Sequence, residues 1–446
     1  MKNMTLGPIV GRVTQNTARV LFEVDGDGDV EARIASNGGI LMSRTVTAAA
    51  NRASVISFDG LEPGVRYTVA FSVANSTERQ AQFTTARGDR LRAVALSCNN
   101  YEFKRTPDLW ERVADDVVEG NRELIIHMGD QIYADAVFGH LVDYFGRISP
   151  SQREEHMEYG RELYRSLYRR TWSHPPTRRA LANAANIMIW DDHDVTGDWG
   201  DRLHFADPEG VEWFVSALAW DVYREYQAQL FQDLATAAPI GAPQHTFHIV
   251  GDYGILCVDV RGGRAFSLDR SKYLGDAQWA EIDAALDAGG AFDAVRTLVV
   301  VSPVPLAYIG AEWTDNYASV AKDLQGHWSY DPFQSEQHRF FQTLEHWKHR
   351  EGGGRRVVLL GGDVHHGCLS SIHRSGSTEV LCKQLVTSGI RTSGFWASSP
   401  LLTGRLAKLS TKSEDYRWIH RGFEFKPNYG TVDLADGQVA LKLHVQ

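Results

Sequence analysis

Hydrophobic and polar residues are arranged differently in the first 88 residues and in the rest of the chain. In the first part, apolar side chains recur at every second position, as in Val20, Phe22 and Val24 and again from Tyr67 to Val73. Clusters of Gly, Asp and Pro separate these short segments. Period-two segments between turn-forming residues are typical of antiparallel strands with one buried face. The pattern predicts a β-sandwich over residues 1–88.

One segment of this part has a more specific pattern. Residues 61–67, LEPGVRY, resemble the tyrosine corner of a fibronectin-type-III-like module, in which a tyrosine hydroxyl ties a crossing loop to the edge of the sheet. The resemblance implies a structural role for Tyr67. We expect the N-terminal module to serve packing or linkage, and the alternative is a module that also shapes access to a substrate.

From residue 89 onward, short continuous apolar runs replace the alternation. Such runs are too uniform for a half-exposed strand and fit strands that are buried on both faces. Helical patterns lie between them, and two Gly-Asp or Asp-Gly turns between apolar segments indicate hairpins. These features predict a mixed, layered α/β domain over residues 89–446. The buried runs are Ala93–Leu96, Leu124–Ile126, Ile187–Trp190, Leu298–Val301 and Val357–Leu360.

Length and charge narrow the possible function classes. At 446 residues the chain is long enough for two domains. Its formal net charge of −10 provides no overall basic field for nucleic acid or anionic lipid, so we expect no nucleic-acid-binding surface. An anionic substrate would then need local positive charge, which bound metal ions supply.

The cysteines and the N-terminus bear on the compartment. The four cysteines form no CxxC pair, so we expect neither a disulfide framework nor a zinc knuckle. The N-terminus lacks the apolar segment of a secretory signal, and no later run approaches the length of a membrane span. We therefore expect a cytoplasmic protein, although a periplasmic or secreted protein whose signal had been removed would have the same sequence. The oligomeric state stays open.

Residues that can bind metal follow four of the buried runs. In open α/β sheets, ligands bind at the carboxyl ends of the strands, so these residues are expected to share one edge. Each block alone has a bland interpretation, such as a packed cysteine, a turn or a helix cap. Together, at four equivalent positions, they predict a cluster of metal ligands. The blocks are Ser97–Asn99 (SCN), Gly129–Asp135 (GDQIYAD), Asp191–Asp194 (DDHD) and Gly361–Gly367 (GGDVHHG).

These blocks resemble those of the alkaline phosphatase D (PhoD-like) family of calcineurin-like metallophosphoesterases. GDQIYAD is similar to the GDxxY block, WDDHD to the GNH[DE] block with Asp for Asn, and GGDVHHG to the GHxH block with Asp for the first His. SCN stands where commoner relatives have DxH. The resemblance extends from about residue 6 to residue 445. It implies an αββα-type catalytic core after the N-terminal β-module, and hydrolysis of phosphate esters.

The resemblance also implies the metal ligands. Asp130 would bridge two metal ions, and Cys98 and Tyr133 would bind the first of them. The family combines iron with calcium, and thiolate and phenolate beside carboxylates suit an iron-like ion together with a harder divalent ion. We expect a dinuclear or multinuclear site with iron plus calcium or another divalent metal. The remaining implied ligands are Asp192 at the second metal, and Asp363 and His365 from the last block.

His193 and Arg261 are expected to act with Asp130 in catalysis. His193 would stabilise the transition state or protonate the leaving oxygen, and the alternative is a histidine that only orients a carboxylate. Arg261 is the first candidate to bind the phosphate, because a guanidinium fork matches its oxygens, and Arg264 is the second. A structural ion pair with Asp259 or Asp269 is the alternative for either arginine. Candidates for residues that surround the ligands are His127, Asp135 and His366.

Three functions compete for this chain. The leading one is a phosphodiesterase or phosphomonoesterase in which a metal-activated hydroxide attacks phosphorus. A non-catalytic metal-containing protein that binds a partner through the β-module is the alternative, although every ligand position holds a residue able to coordinate. A different hydrolase would need a motif such as HExxH or GxSxG, which the chain lacks. Preference for diesters or monoesters depends on segments 136–176 and 391–425, which the sequence does not resolve.

Overall fold

The computed structural model of the chain describes residues 2–74, 79–103, 108–234, 240–312, 314, 322–350, 354–392, 412–413 and 415–446. Residues 393–411 therefore lie outside the described residues, and they make up most of the segment 391–425 that is expected to shape substrate preference.

The N-terminal strands form two antiparallel sheets, which confirms the predicted sandwich. One sheet has the order β1-β2-β5 and the other β4-β3-β6-β7. The hydroxyl of Tyr67 accepts a hydrogen bond from the backbone N–H of Glu62 at 2.9 Å, as a tyrosine corner requires. The strands are β1 (Met4–Val13), β2 (Ala18–Val24), β3 (Gly28–Ser36), β4 (Gly39–Ala48), β5 (Ser54–Phe58), β6 (Arg66–Phe71) and β7 (Gln80–Thr84).

The later strands form two mixed sheets, and this confirms the predicted α/β class. The first has the order β10-β9-β8-β19-β20 and the second β11-β12-β13-β14-β16-β15-β18-β17. Strands β8, β9 and β10 are parallel, and so are β12, β13, β14 and β16. Both predicted hairpins, β11 with β12 and β19 with β20, are present. The strands are β8 (Arg90–Leu96), β9 (Leu124–Met128), β10 (Ala185–Ile189), β11 (Thr246–Val250), β12 (Tyr253–Cys257), β13 (Thr297–Ser302), β14 (Arg356–Gly361), β15 (Gly367–Arg374), β16 (Cys382–Val386), β17 (Lys412–Ser413), β18 (Tyr416–Glu424), β19 (Asn428–Ala435) and β20 (Gln438–Val445).

Helices cover the outer faces of these two sheets. On β8, Ala93 and Ala95 lie in a hydrophobic cluster shared by both sheets, whereas Val94 and Leu96 pack with α1. The same alternation on β13 directs one set of residues to the shared cluster and the other to α8 and α9. The described helices are α1 (Leu109–Val118), α2 (Asp135–Phe145), α3 (Pro150–Arg153), α4 (Met157–Trp172), α5 (Pro175–Leu181), α6 (Val211–Tyr226), α7 (Gly262–Ala265), α8 (Asp276–Leu286) and α9 (Gln334–His349), and the short 3-10 turns are Glu154–His156, Asp192–Asp194, Leu203–Ala206, Ala228–Leu230, Lys322–Gly326 and Asp331–Phe333.

The N-terminal sheets pack closely on the α/β core. Apolar residues of β1 and β2 belong to the same hydrophobic cluster as those of β8, β9 and β10. At Gly11 the approach is so close that a Cβ atom would lie 2.3 Å from the carbonyl oxygen of Leu230. Glu23 is fully buried and binds Arg169 of α4 at 3.1 Å. Polar and apolar contacts together hold the two parts against each other.

None of the helices among the described residues has the length and hydrophobicity that crossing a membrane requires.

Candidate metal centre

The loops that follow the parallel strands have unusual backbone conformations. Cys98, Asp130, Asp363 and His365 have φ angles of 58°, 56°, 59° and 54°. Residues other than glycine rarely adopt this left-handed backbone conformation. Where they do, the surrounding structure must hold them in it, and such residues cluster at functional sites. Four expected metal ligands therefore share a conformation that costs free energy.

Two glycines allow these loops to touch. A Cβ atom on Gly129, whose φ is +90°, would lie 2.4 Å from the Cβ of Asp191. A Cβ atom on Gly362 would lie 2.6 Å from the carbonyl oxygen of Met128 and 2.7 Å from Oγ of Ser97. Larger side chains would push the ends of β8, β9, β10 and β14 apart. The Gly-Asp pairs of the motifs thus bring the loops into contact.

The first group of potential ligands lies where β8, β9 and β14 end. Donor atoms of Cys98, Asp130 and His365 all lie within 4.8 Å of one another. The hydroxyl of Tyr133 is 3.2 Å from Oδ2 of Asp130 and 3.2 Å from Nε2 of His365. Ser388 supports this group, because its hydroxyl lies 3.0 Å from Sγ of Cys98 and accepts from the backbone N–H of His365 at 2.9 Å. The expected ligands of the first metal are adjacent.

Two further groups extend the cluster toward β10. Donor atoms of Asp130, Asp192 and His193 lie within 4.8 Å of one another, and so do those of Asp191, Asp192 and Asp363. Asp130 therefore belongs to the first two groups, and Asp192 to the last two. This overlap is the arrangement that carboxylates bridging neighbouring ions require. All six expected ligands are thus brought together.

Without a cation, burial and neighbouring carboxylates raise the pKa values of Asp130 and Cys98. Burial raises the pKa of Asp130 well above its usual value, and Asp192 and Asp191 add to the shift although His193 opposes it. Burial, followed by the charge of Asp130, also raises the pKa of the Cys98 thiol. Metal ions would reverse these shifts, because they stabilise the deprotonated forms.

Buried carboxylate oxygens without hydrogen-bond partners also indicate that the cluster would be stabilised by a bound cation. Oδ2 of Asp191 is buried without a hydrogen-bond partner, and Oδ1 of Asp192, also without a hydrogen bond, lies 3.4 Å from Nη2 of Arg261. Such atoms cost free energy unless an ion or another polar group compensates them. Burial lowers the pKa of His365 to about 3, so its imidazole is neutral and able to coordinate. The residues present therefore fit a metal site with sulfur, nitrogen and phenolate donors at one end and carboxylates at the other.

His193 is held by contacts on two sides. Its Nδ1 lies 2.9 Å from Oδ2 of Asp135, and its ring stacks on Tyr133 with centroids 4.2 Å apart. Burial alone would lower the pKa of His193, but the carboxylates of Asp192, Asp130 and Asp135 raise it well above its usual value. The side chain is 25% exposed, so the ring borders the open side of the cluster. Asp135, expected near the ligands, is thus the partner of His193.

Arg261 lies inside the acidic cluster rather than on its surface. Its side chain is 2% exposed, and its Nε lies 2.5 Å from Oδ1 of Asp191. Its Nη2 lies 3.4 Å from Oδ1 of Asp192 and 3.8 Å from Oδ1 of Asp363. The expected alternative partner, Asp259, accepts a hydrogen bond from the backbone N–H of Arg261, and no described contact joins it to the guanidinium. Contact between Arg261 and a phosphate stays a prediction, and the observed contacts include the carboxylates that are expected to bind metal.

Arg264 and the two outlying histidines have structural partners. Arg264 is buried and lies 3.0 Å from Oδ1 of Asp201. His127 points to Asn186, whose Oδ1 lies 2.9 Å from its Nε2, and His366 points to the hydroxyl of Tyr308 at 3.0 Å. No described hydrogen bond joins His127 or His366 to the potential ligands, so both belong to the surrounding packing.

Three residues near the site were not singled out by the sequence. Asp191 supplies oxygens to the third group, although Asp192 was preferred in the DDHD run. Asp194 accepts hydrogen bonds from the backbone N–H groups of Asp130 and Asp191 at 3.0 and 2.9 Å, and so connects the loops after β9 and β10. His327 is buried, and its Nε2 lies 3.9 Å from Oδ2 of Asp363. His327 lies in no motif that could have indicated its position near the site. For Asp191 and Asp194, the three aspartates of the DDHD run were the signal that more than one of them has a role.

Two family models match separate parts of the chain. The sequence model of the PhoD-like phosphatases matches residues 93–243, which include Cys98, Asp130 and Asp192. A domain of unknown function, DUF7800, matches residues 1–85. A search of curated proteins found no match.

One solved structure shares the fold of the whole chain. The structure of PhoD matches with a TM-score of 0.70 at 15% sequence identity, and the match covers 99% of this chain and 88% of that one. GAP50, the anchor in the inner membrane complex of Plasmodium, matches with a TM-score of 0.39 at 10% identity, over 80% of this chain and 85% of that one. The PhoD match includes the N-terminal sheets as well as the α/β core.

Proposed function

We propose that this chain, whose residues 93–243 match the sequence model of the PhoD-like phosphatases, is a metal-dependent phosphatase that hydrolyses phosphate diesters, monoesters or both at the cluster around Asp130. The observation that carries the proposal is the set of overlapping groups that share Asp130 and Asp192. We propose that the ions are iron, next to Cys98 and Tyr133, and calcium or another divalent metal among the carboxylates. When bound, the metal ions would supply an attacking hydroxide at neutral pH and neutralise charge on the phosphate.

The residues of the chain would then prepare the site in three ways. Asp130 and Asp192 would each offer carboxylate oxygens to two neighbouring metal positions, and so fix the spacing of the ions. The left-handed loops would hold Cys98 and His365 in place before metal binds, which reduces the cost of ordering the ligands. Asp194 would keep the loops after β9 and β10 in register through its two backbone contacts.

His193 is the proposed proton donor to the leaving oxygen. Its contact with Asp135 engages Nδ1 and fixes the ring, so Nε2 is the nitrogen that would face the leaving oxygen. Asp135, which is not an expected metal ligand, favours the protonated imidazolium, which is the form that can donate. Leaving-group protonation is needed most where the leaving alkoxide is strongly basic, as in esters of aliphatic alcohols.

Arg261 is proposed to act chiefly through the carboxylates. Its guanidinium, which is 2% exposed, balances part of the charge of Asp191 and Asp192 and orients their oxygens. This position favours a positioning role over direct binding of a phosphate.

The division into an N-terminal module (residues 1–88) and a catalytic domain (residues 89–446) stays a proposal, and so does the cytoplasmic location expected from the sequence.

Hydrolysis of two chromogenic esters tests the proposed function. Purified protein would be assayed with bis(p-nitrophenyl) phosphate and p-nitrophenyl phosphate before and after chelation, and again after iron and calcium are restored singly and together. We expect turnover that disappears with the metals and returns with them, and the ratio of the two rates would give the preference for diesters or monoesters. Absence of turnover of either ester by folded, metal-loaded protein would contradict the proposal.

A further inference from the structure

A cavity with basic and apolar walls lies at the opposite end of the strands from the metal centre. Its volume is about 350 Å³, and it lies between the ends of β1 and β7 and the amino ends of β8 and β9, beside β11. On β8, Arg90 lines this cavity, whereas Cys98 follows the carboxyl end of the same strand. Eight residues of extended chain span roughly 25 Å, so the cavity is separate from the metal centre. Ligand pockets commonly have volumes of roughly 300–1,000 Å³.

The cavity has an excess of positive charge. Arg12, Arg90 and Arg92 line it together with one carboxylate, that of Glu123. Arg90 and Arg92 share this carboxylate at 3.0 and 2.9 Å, and the Nε atoms of both arginines are buried without a hydrogen-bond partner. Two guanidinium groups thus divide one counter-ion among them, in a chain whose overall charge is −10.

Arg12 is the third cation of the cavity lining. It is half-buried, and within the described residues it has no hydrogen bond or ion pair. Asp233, whose charge acts on Arg12, is already bound to Arg19 at 2.9 Å. Burial and the neighbouring Arg19 lower the pKa of Arg12, which reflects the cost of its position. A guanidinium in such surroundings gains most from an anion that enters the cavity.

His248 adds a neutral polar group beside Arg12. It is 3% exposed, its Nε2 lies 2.9 Å from Oγ1 of Thr246, and its Nδ1 is buried without a partner. Burial and the charge of Arg12 lower the pKa of His248 to about 3, so the ring is neutral. In the tautomer in which Nε2 accepts from Thr246, Nδ1 carries a hydrogen that can be donated. The group therefore complements an anion as the arginines do.

The rest of the wall is apolar. Phe247 and Val250 line the cavity from β11, and Leu91 and Leu124 line it from the first sheet. Ile249, which also lines it, is 43% exposed. A fully hydrated inorganic ion would leave these surfaces uncovered, whereas an apolar group attached to the anion would bury them. The lining thus selects a ligand with a charged end and an apolar body.

We propose that this cavity binds a small amphipathic anion, in which a single sulfonate, carboxylate or phosphate group meets Arg12 and an apolar body meets β11. The site draws residues from both the N-terminal sheets and the α/β core, so a ligand here would contact both parts of the chain.

Calorimetric titration of the metal-loaded full chain with 1-octanesulfonate tests the proposal. The sulfonate is chosen because a phosphatase cannot hydrolyse it, and it would be used below its micellar concentration. Octanoate tests whether a carboxylate serves as well, and 1-octanol tests whether the charge is needed. We expect saturable binding of the two anions and at least tenfold weaker binding of the alcohol.

Two variants locate the binding. Arg12→Met, which keeps most of the apolar stem, should weaken sulfonate binding at least tenfold, whereas Arg33→Met, at an exposed arginine of β3, should leave it unchanged. Ala86→Trp should abolish binding by filling the cavity, with phosphatase turnover and the far-UV circular dichroism spectrum showing that the variant is folded. Equal binding of octanol, undiminished binding to Arg12→Met, or no sulfonate binding to the wild-type chain would each overturn the proposal.

Discussion

The two ring nitrogens of His193 have different surroundings, and this difference defines its role. Nδ1 is engaged with Asp135 at 2.9 Å, while the ring is fixed against Tyr133. A histidine held in this way presents Nε2 in one orientation, as a general acid must. Asp135 therefore acts on the reaction through His193 rather than by contact with the substrate.

Replacement of His193 tests this role. With a phosphate ester of an aliphatic alcohol as substrate, we expect His193→Asn to lower kcat by about 10²–10⁴-fold, the usual contribution of general acid catalysis, with little change in metal content and a smaller loss for p-nitrophenyl esters. Asp135→Asn should cost about 10–100-fold, because it only loosens the ring. His140→Asn, at a histidine bonded to the hydroxyl of Tyr159, should match the wild type. A parallel loss of metal and activity in His193→Asn would instead make His193 a ligand.

For single residues, the sequence predicted which side chains could bind metal better than it predicted their contacts. Asp130, Cys98 and His365 were recognisable because each lies in a motif directly after a buried run. The roles of Asp191 and Arg261 were not recognisable from the sequence. The direction of each side chain depends on the 3-10 turn at Asp192–Asp194 and on packing across two sheets. Burial of an arginine among carboxylates leaves no pattern in the nearby sequence.

Among the elements, β9 shows how a buried strand carries polar residues. Its five residues are all buried, and Ile125 packs toward α1 while Ile126 and Met128 enter the shared cluster. His127 is bonded to Asn186 of β10, and burial lowers its pKa to about 4. The apolar run predicted the strand, but the periodicity could not assign a partner to a histidine within it.

The titration of His127 predicts a pH-dependent contribution to stability. Between pH 6.5 and about 4 the unfolded chain binds a proton at this residue and the folded chain does not, so the contribution is present above pH 6.5 and is lost as pH falls. We expect the wild type to lose on the order of 2 kcal/mol more free energy of unfolding than His127→Gln between pH 7.5 and 5.0. Urea unfolding at both pH values measures this difference, and identical losses would contradict the assignment.

For the whole molecule, the close packing of the N-terminal sheets on the α/β core is the main feature. One hydrophobic cluster includes residues of both parts, and Asn186 of β10 donates to the carbonyl of Val10 at 2.9 Å. The sequence predicted both folds from their different periodicities. It could not predict this interface, because alternation shows that one face of a strand is buried but not what covers it.

Removal of residues 1–88 tests the importance of this interface. The truncated chain would expose the apolar residues of the shared cluster and leave Arg169 without Glu23, so we expect low soluble yield or aggregation. Size-exclusion chromatography and the temperature of thermal unfolding would measure the effect. A monodisperse truncated protein with full activity would show that the N-terminal sheets are only a tether.

The most direct test of the whole account is the phosphodiester and phosphomonoester turnover of Asp130→Asn, with metal content determined on the same sample. Asparagine tolerates the left-handed backbone at this position, so the fold should persist while the shared carboxylate charge is lost. Asp143→Asn, at an exposed aspartate of α2, is the matched control. We predict that Asp130→Asn loses bound metal and loses activity by more than the roughly 10–100-fold that removal of a supporting residue costs, while the control keeps both. Near-normal turnover in Asp130→Asn would contradict the assignment of the metal centre.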